Sequence, residues 1–270
     1  MFRLGWFSTG RGEGSRGLLS VVVNAIQQGE LEAEIAFVFC NREPGEHSGS
    51  DEFMSLVSSY GVPLLTLSSQ RFRKEQGAPN FSSVREAYDR EVMTLLAEQT
   101  ADLNVLAGYG LIFSAEMARQ HVSLNLHPAT PDGPIGTWQQ VIWELIEKEA
   151  SESGTMIHLA TEDLDRGPPA SYVSFPMHGQ GFDDLWAEVA GQNIEALQKQ
   201  FGEDLALLQR IRQEGLRRER PLLLETLKAF VSGRLQVEDH RVVDSQGVPT
   251  APICLNVEVE QALAKAGESA

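Results

Sequence analysis

The chain has 270 residues, 42% hydrophobic and 22% charged, which suits one large domain or two small ones with a core of its own and excludes a disordered or fibrous chain. Against 38 acidic side chains stand 22 basic ones, and the net charge of −16 repels phosphate backbones and anionic lipids, excluding a general nucleic-acid coat or membrane-surface protein. Cys40 and Cys254 are the only cysteines, so neither a disulfide framework nor a paired zinc motif is expected, and no metal. The apolar start reaches polar and glycine residues too soon for a signal peptide, and no segment approaches the roughly 18 apolar residues of a membrane span. A soluble cytoplasmic protein is expected.

Residues 2–7 are apolar apart from Arg3 and run into Ser8-Thr9-Gly10-Arg11-Gly12-Glu13-Gly14-Ser15-Arg16-Gly17, with the apolar stretch 18–26 behind it. This reads as strand, glycine-rich loop, helix. The unit repeats, with a buried strand at 35–40, a helix at 50–60 ending at Gly61, and a short strand at 64–67. Helical spacing of Ala87, Tyr88, Val92, Leu95 and Leu96 places a helix in 85–99 ahead of a strand at 103–107. Such alternation predicts a mostly parallel sheet with right-handed crossovers, whose ligands collect at the carboxyl ends of the strands. Beyond residue 120 the texture changes. A strand at 122–127 meets a Pro/Gly-rich loop, then come a helix at 137–148, an antiparallel pair at 155–160 and 171–175, and a helical stretch at 183–232 interrupted near Gly215. The tail after Arg234 has strand-like pieces and a polar end expected to be disordered.

Three segments could carry chemistry. Backbone amides freed by Gly10, Gly12 and Gly14 at a helix start form an anion site, to which Arg11, Ser15 and Arg16 add donors. The bland alternative is a flexible turn. Asn125 and His127, two apart in a strand, project from one face, and an amide donor beside an imidazole suits acyl transfer. A lone histidine, though, is more often structural. In Glu162-Asp163-Leu164-Asp165-Arg166-Gly167-Pro168, a loop carboxylate could orient that imidazole and hold a water, although acidic turns are ordinary surface features.

Taken in order, Ser8-Thr9-Gly10 to Ser15, Ser83 to Arg90, Val105-Leu106-Ala107-Gly108-Tyr109, Leu124 to Pro128, Gly154 to His158 and Asp163 to Pro168 resemble the phosphoribosylglycinamide formyltransferases of the folate-dependent formyltransferase superfamily. The similarity covers about residues 2–178, with a weaker echo at 221–235. It implies an α/β, Rossmann-like, mostly parallel sheet flanked by helices with a helical C-terminal addition, divided as a catalytic domain at 1–180 and an extension at 181–270 packed on it. It also implies transfer of a formyl group from 10-formyltetrahydrofolate to an amine, in purine biosynthesis if the acceptor is glycinamide ribonucleotide. By motif, Asn125 would stabilise the oxyanion, His127 would shuttle the proton, and Asp165 would orient His127 and fix a water. His158 matches a second family histidine with a supporting role. Gly10, Arg11, Gly12, Gly14 and Ser15 would hold the substrate phosphate; Arg85 would meet the acidic tail of the folate. The pterin would lie against Tyr109, Leu111, Ile112 and Phe113 and against the loop of Asp163 and Asp165.

The chain departs from this pattern. Its glycine loop is longer, Gly110-Leu111 replaces Met-Arg, residues 128–136 replace Ser-Leu-Leu-Pro, and Trp138 stands where a histidine is common. The family's Glu-His pair has only Glu214 and Glu219 as candidates. Alternatives are therefore a formyltetrahydrofolate hydrolase, an amino-sugar or aminoacyl-tRNA formyltransferase, and a silent sugar-phosphate binding protein. The family's hydrolases carry an extra N-terminal domain, and only a few residues precede the first strand here. Partners are expected to be small molecules, without nucleic acid or membrane, with a homodimer left open. Arg210, Arg212, Arg217, Arg218 and Arg220, interleaved with Glu203, Asp204, Glu214 and Glu219, read as a solvated helix face. Trp138, Trp143 and Cys40 read as core residues, and Cys254 as unreactive.

Overall fold

The computed structural model describes residues 1–179 and 181–268. Strands and helices alternate from the start: β1 (Phe2–Ser8), α1 (Glu13–Gln27), β2 (Ala33–Cys40), α2 (Ser48–Ser59), β3 (Leu64–Thr66), α3 (Ser69–Glu75), α4 (Arg85–Leu95), β4 (Leu103–Leu106), α5 (Ala115–Gln120) and β5 (Ser123–His127). They are followed by α6 (Trp138–Glu147), β6 (Glu152–Leu159), β7 (Pro169–Pro176), α7 (Asp183–Val189), α8 (Ile194–Phe201) and α9 (Ala206–Val231). A hairpin of β8 (Leu235–Glu238) and β9 (Arg241–Asp244), a short β10 (Ile253–Cys254) and α10 (Asn256–Glu268) complete the chain. Hydrogen-bonded strands follow the order β10-β7-β6-β5-β4-β1-β2-β3. The pairs β1–β2, β1–β4, β2–β3, β4–β5 and β7–β10 are parallel. This is the mostly parallel sheet that the alternation predicts, in the α/β, Rossmann-like arrangement that the resemblance implies.

Two compact units share the chain, one made of Met1–Asn125, His158–Pro168 and Leu227–Thr250, the other of Leu126–Ile157, Pro169–Thr226 and the segment from Ala251 onward. The expected division near residue 180 falls inside the second unit, because the chain leaves the first unit at β5 and returns to it twice. In the first unit β1, β2 and β4 are covered on both faces, so Leu4, Trp6, Phe7, Phe37, Val38, Phe39 and Val105 are all buried. Phe7 gathers the rings of Phe37, Phe39, Tyr109 and Phe113 at centroid distances of 5.6–5.8 Å. Only glycine fits at position 5, where a Cβ would stand 2.0 Å from Asn104 Oδ1.

In the second unit α6 starts at a capping box between Thr137 and Gln140 and buries Val141, Ile142, Leu145 and Ile146 against Phe175, Met177, Leu197, Leu207, Leu208 and Ile211. Trp138 and Trp143 pack on this cluster while keeping part of their surface exposed. The break expected near Gly215 is absent: α9 runs unbroken through Gly215 and Pro221. Burial of Leu207, Leu208, Ile211, Leu222 and Leu223 outweighs a glycine cost of about 1 kcal/mol. The chain breaks instead at Gly191 and Gly202, both with positive φ. The tail is also corrected, since α10 forms where disorder was expected and buries Val259; residues 269–270 lie outside the described residues. No helix among the described residues is long and apolar enough to cross a membrane.

Candidate active site

The pleat of β5 turns Asn125 and His127 to one face, Asn125 half-buried and His127 buried. Asn125 Nδ2 lies 3.2 Å from His158 Nε2 and 3.4 Å from Asp165 Oδ1, and His158 Nε2 lies 3.7 Å from the same carboxylate oxygen. His158 Nδ1 is 2.9 Å from the Leu159 carbonyl, which can only accept. Nδ1 therefore carries the proton, and Nε2 of the neutral ring accepts from the Asn125 amide. The amide gives one N–H to the imidazole and the other to the carboxylate, which fixes its orientation. At His127, Nε2 is 2.8 Å from the Pro134 carbonyl, which can only accept, so Nε2 carries a proton. The Asp165 carboxylate, expected to orient His127, also meets His158 and Asn125.

The loop carrying Asp165 is held tightly. Ala160 N donates to Ser123 O at 2.7 Å, Leu159 N to Pro168 O at 2.9 Å, and Thr161 Oγ1 to Asp163 O at 3.0 Å. Asp165 itself has φ +52°, a left-handed conformation that costs a non-glycine residue about 1 kcal/mol or more and persists where the surroundings impose it. Gly167 is pressed on β6, with an added Cβ placed 1.7 Å from the Leu159 carbonyl oxygen. Gly167→Ala is expected to displace Asp165 and lower the melting temperature by several degrees, as differential scanning calorimetry would record, for a cost of about 1–3 kcal/mol.

Beside this loop, in the first unit, is a cavity of about 160 Å³ walled by Ala115, Ala118, Val122, Leu159, Ala160 and Glu162. Tyr109 and Phe113 do not line it, and their rings are buried in the aromatic cluster around Phe7. Leu111 and Ile112 are half-buried, and Asp163 is exposed. Arg85, half-buried at the start of α4, faces Asp89 electrostatically. Burial pushes the Asp89 carboxyl above its usual range, opposed by the Ser114 N–H at 2.6 Å and by the charge of Arg85.

At the glycine loop, α1 begins at Glu13, so Gly14 and Ser15 sit in its first turn and Gly12 is an N-cap that brings no side-chain acceptor. Gly10 has φ +65°, and a Cβ there would meet the Phe53 ring at 2.6 Å. Arg11 is exposed. Arg16 is drawn away to Glu52 at 3.1 Å and to the Gly49 carbonyl at 3.3 Å.

The arginine-rich face of α9 holds one buried ion pair, which the solvated reading did not include. Glu214 and Arg218 are only 6% and 7% exposed, bonded to each other, and Glu214 also meets Arg210 at 3.0 Å and Arg217 at 3.4 Å. Arg218 reaches Glu260 of α10 at 2.6 Å and covers the Phe175 ring at 4.8 Å. The Glu214–Arg218 pair is thus buried where Glu260 of α10, unforeseen in the sequence, meets α9, while Arg217 and Arg220 stay exposed as a solvated face predicts. Of the two acids weighed for the substrate amine, Glu214 is committed to these arginines. Glu219 is pushed up by burial, with Arg212 at 3.3 Å pulling it down, and that guanidinium lies 4.9 Å from the Trp138 ring.

The sequence profile of the formyl transferase family matches residues 12–180. The chain belongs to the formyl transferase family. This formyltransferase is 28% identical over 187 residues to the phosphoribosylglycinamide formyltransferase of Escherichia coli K12, an alignment covering 67% of this chain and 77% of the relative. Its fold is shared with glycinamide ribonucleotide transformylase 1 from Symbiobacterium toebii, at a TM-score of 0.62 and 22% identity over 90% of this chain and 94% of that one. It is shared as well with a formyltetrahydrofolate deformylase from Pseudomonas syringae pv. tomato, at a TM-score of 0.58 and 20% identity, covering 90% of this chain and 65% of that chain. Asn125, His127, His158 and Asp165 of the formyltransferase all lie inside the matched segment.

Proposed function

We propose that the enzyme moves a formyl group from 10-formyltetrahydrofolate to the amine of a small phosphate-bearing acceptor, glycinamide ribonucleotide being the acceptor that the relatives' names suggest. The observation that carries this reading is the Asn125 amide, held between an imidazole nitrogen and a carboxylate. The donor supplies an activated formyl carbonyl. As the amine adds to its carbon, the carbonyl oxygen gains negative charge, and an Asn125 N–H turns from Asp165 or His158 to that oxygen. Asp165 is left to accept a hydrogen bond from the attacking nitrogen or from a water relaying its proton. His127 takes up the ammonium proton and returns it to the departing tetrahydrofolate nitrogen, so that the C–N bond made balances the C–N bond broken. The paired His158 keeps Asn125 and Asp165 in register.

The cavity beside the Asp165 loop supports the donor part of this reading. It is an open pocket of about 160 Å³ that offers an apolar floor of Ala115, Ala118, Val122, Leu159 and Ala160 with polar groups of Arg119, Ser123, Thr161 and His240 around it, a mix that suits a pterin ring. Filling it by Ala118→Phe is expected to raise the KM for the donor about tenfold, measured by steady-state kinetics at saturating amine. Arg85 would hold the donor's carboxylates through a charge-assisted fork, and Gly10, Arg11, Gly12, Gly14 and Ser15 the phosphate of the acceptor. The discriminating experiment is incubation with 10-formyltetrahydrofolate and a panel of amines, following tetrahydrofolate release. Release only with a phosphate-bearing amine supports the proposal. Release with no amine present identifies a hydrolase, preference for an amino sugar changes the acceptor class, and binding without release identifies a silent relative.

A further inference from the structure

Among the described residues only two arginines are buried, Arg42 and Arg218, and their surroundings differ. Arg218 has two carboxylate partners, Glu214 and Glu260. Arg42, 8% exposed, has none: its contacts are the Asn41 carbonyl at 2.7 Å, Asn41 Oδ1 at 3.2 Å and Ser69 Oγ at 2.8 Å, all made through Nη1. The opposite edge of the fork, Nε and Nη2, has no bond or ion pair to any described residue. Glu46 belongs to the same neighbourhood, but its carboxylate is taken by the Ser68 hydroxyl at 2.5 Å and the Glu43 N–H at 2.9 Å. The Nε/Nη2 edge is not among the polar atoms sealed from solvent, so it stays open to a ligand, while the rest of the side chain is buried against neutral oxygens, a costly setting for a charge that has no acid beside it. In a chain of net charge −16, acids to pair with it were plentiful.

The position of Arg42 says what the free edge is for. It lies two residues beyond β2, at the carboxyl edge where open α/β sheets take their ligands. Asn41, its neighbour, donates from its backbone to Ser8 O at 3.2 Å and from its side chain to Tyr109 O at 2.8 Å. Ser8 in turn accepts at Oγ from Gly10 N at 3.0 Å. The end of β2 is thereby tied to the glycine loop and to the segment after β4. The geometry points to Arg42 as an anion anchor that takes a phosphate monoester through its Nε/Nη2 edge, working beside the Gly10–Ser15 loop. The functional part of this inference rests on the phosphate-bearing acceptor proposed above; the anion site itself does not.

The test is titration of the full chain with inorganic phosphate by calorimetry, together with the arginine Nε–H resonances in NMR. In the wild-type protein one Nε–H resonance is expected to shift on addition of phosphate, and Arg42→Met is expected to weaken phosphate binding about tenfold or more, the loss of a charge-assisted pair. Arg42→Lys, which keeps the charge but loses the fork, is expected to fall between the two. Phosphate binding of wild-type strength in Arg42→Met, or no Nε–H shift in the wild type, overturns the assignment; the second readout stands even if the variant fails to fold. Tighter binding of glutarate than of phosphate also overturns it, since the site would then take carboxylates. Phosphate binding that depends on Arg42 in a protein that formylates no amine would uphold the site and remove the proposed reaction.

Discussion

Asn125→Ala is expected to lower formyl-transfer turnover by about 10²–10³-fold, the usual consequence of deleting one oxyanion donor, while leaving the melting temperature within a few degrees. The side chain is only half-buried and leaves little cavity behind, so the loss falls on the reaction and not on folding. Its amide is held 3.2 Å from His158 and 3.4 Å from Asp165, which means that the donor is oriented before substrate arrives. Asp165→Asn separates two roles of the carboxylate: it keeps the shape but replaces the acceptor oxygen with an amide in half of its orientations, and a similar loss of turnover is expected. His158→Ala should act through the other two, with a smaller loss and a changed pH profile. Purified variants assayed for tetrahydrofolate release, with circular dichroism as the folding control, decide the matter. Undiminished turnover in Asn125→Ala would sink the assignment.

The second large effect is on stability. Arg218→Met is expected to cost about 3–5 kcal/mol in urea denaturation, because it leaves the carboxylate of Glu214 buried with part of its compensation removed. Glu260 and the Phe175 ring lose their partner at the same time. Replacing Glu214 by Gln as well should recover part of that loss, since the stranded charge is then gone. The same pair sets an acid limit. Burial pushes Glu214 up, but the hydrogen bond from Arg218 and the charges of Arg217, Arg218 and Arg210 outweigh it, and its pKa ends below the usual carboxylate value. A depressed folded pKa gives stability that is present above the unfolded value and is lost as pH falls through the folded one. Denaturation midpoints followed from neutral pH downward should therefore fall in the acid range, and the slope should flatten in the Glu214→Gln variant.

Much of the first unit was legible without coordinates. The short, β-branched and aromatic run at 35–40 and the run at 103–107, bounded by turn signals, read as strands covered on both faces, and the glycine-rich break after β1 marks a strand-to-helix turn. The spacing of Asn125 and His127 fixes their common face, since a strand alternates with period two. Less could be read where the cause was distant in sequence. Gly215 looks like a helix breaker on local propensity, yet the buried leucines on either side of it decide otherwise. The arginines of α9 carry the pattern of a solvated face, and nothing local announces that α10 will bring Glu260 to Arg218 and leave that one arginine buried. Arg42 gave no signal beyond a charge following an apolar strand.

The sequence by itself determined the alternation of strands and helices, the chemical types available at the carboxyl edge, and the order in which Asn125, His127, His158 and Asp165 occur, because these follow from local periodicity and residue identity. Only the tertiary structure decided which groups meet. The carboxylate of Asp165 reaches Asn125 across 40 positions of chain because Gly167 lets its loop press on β6 and Asp165 accepts a left-handed backbone. The buried charges were sorted in the same way, Arg218 to its acids and Arg42 to neutral oxygens, since the cost of withdrawing a charge from water depends on what packing brings beside it.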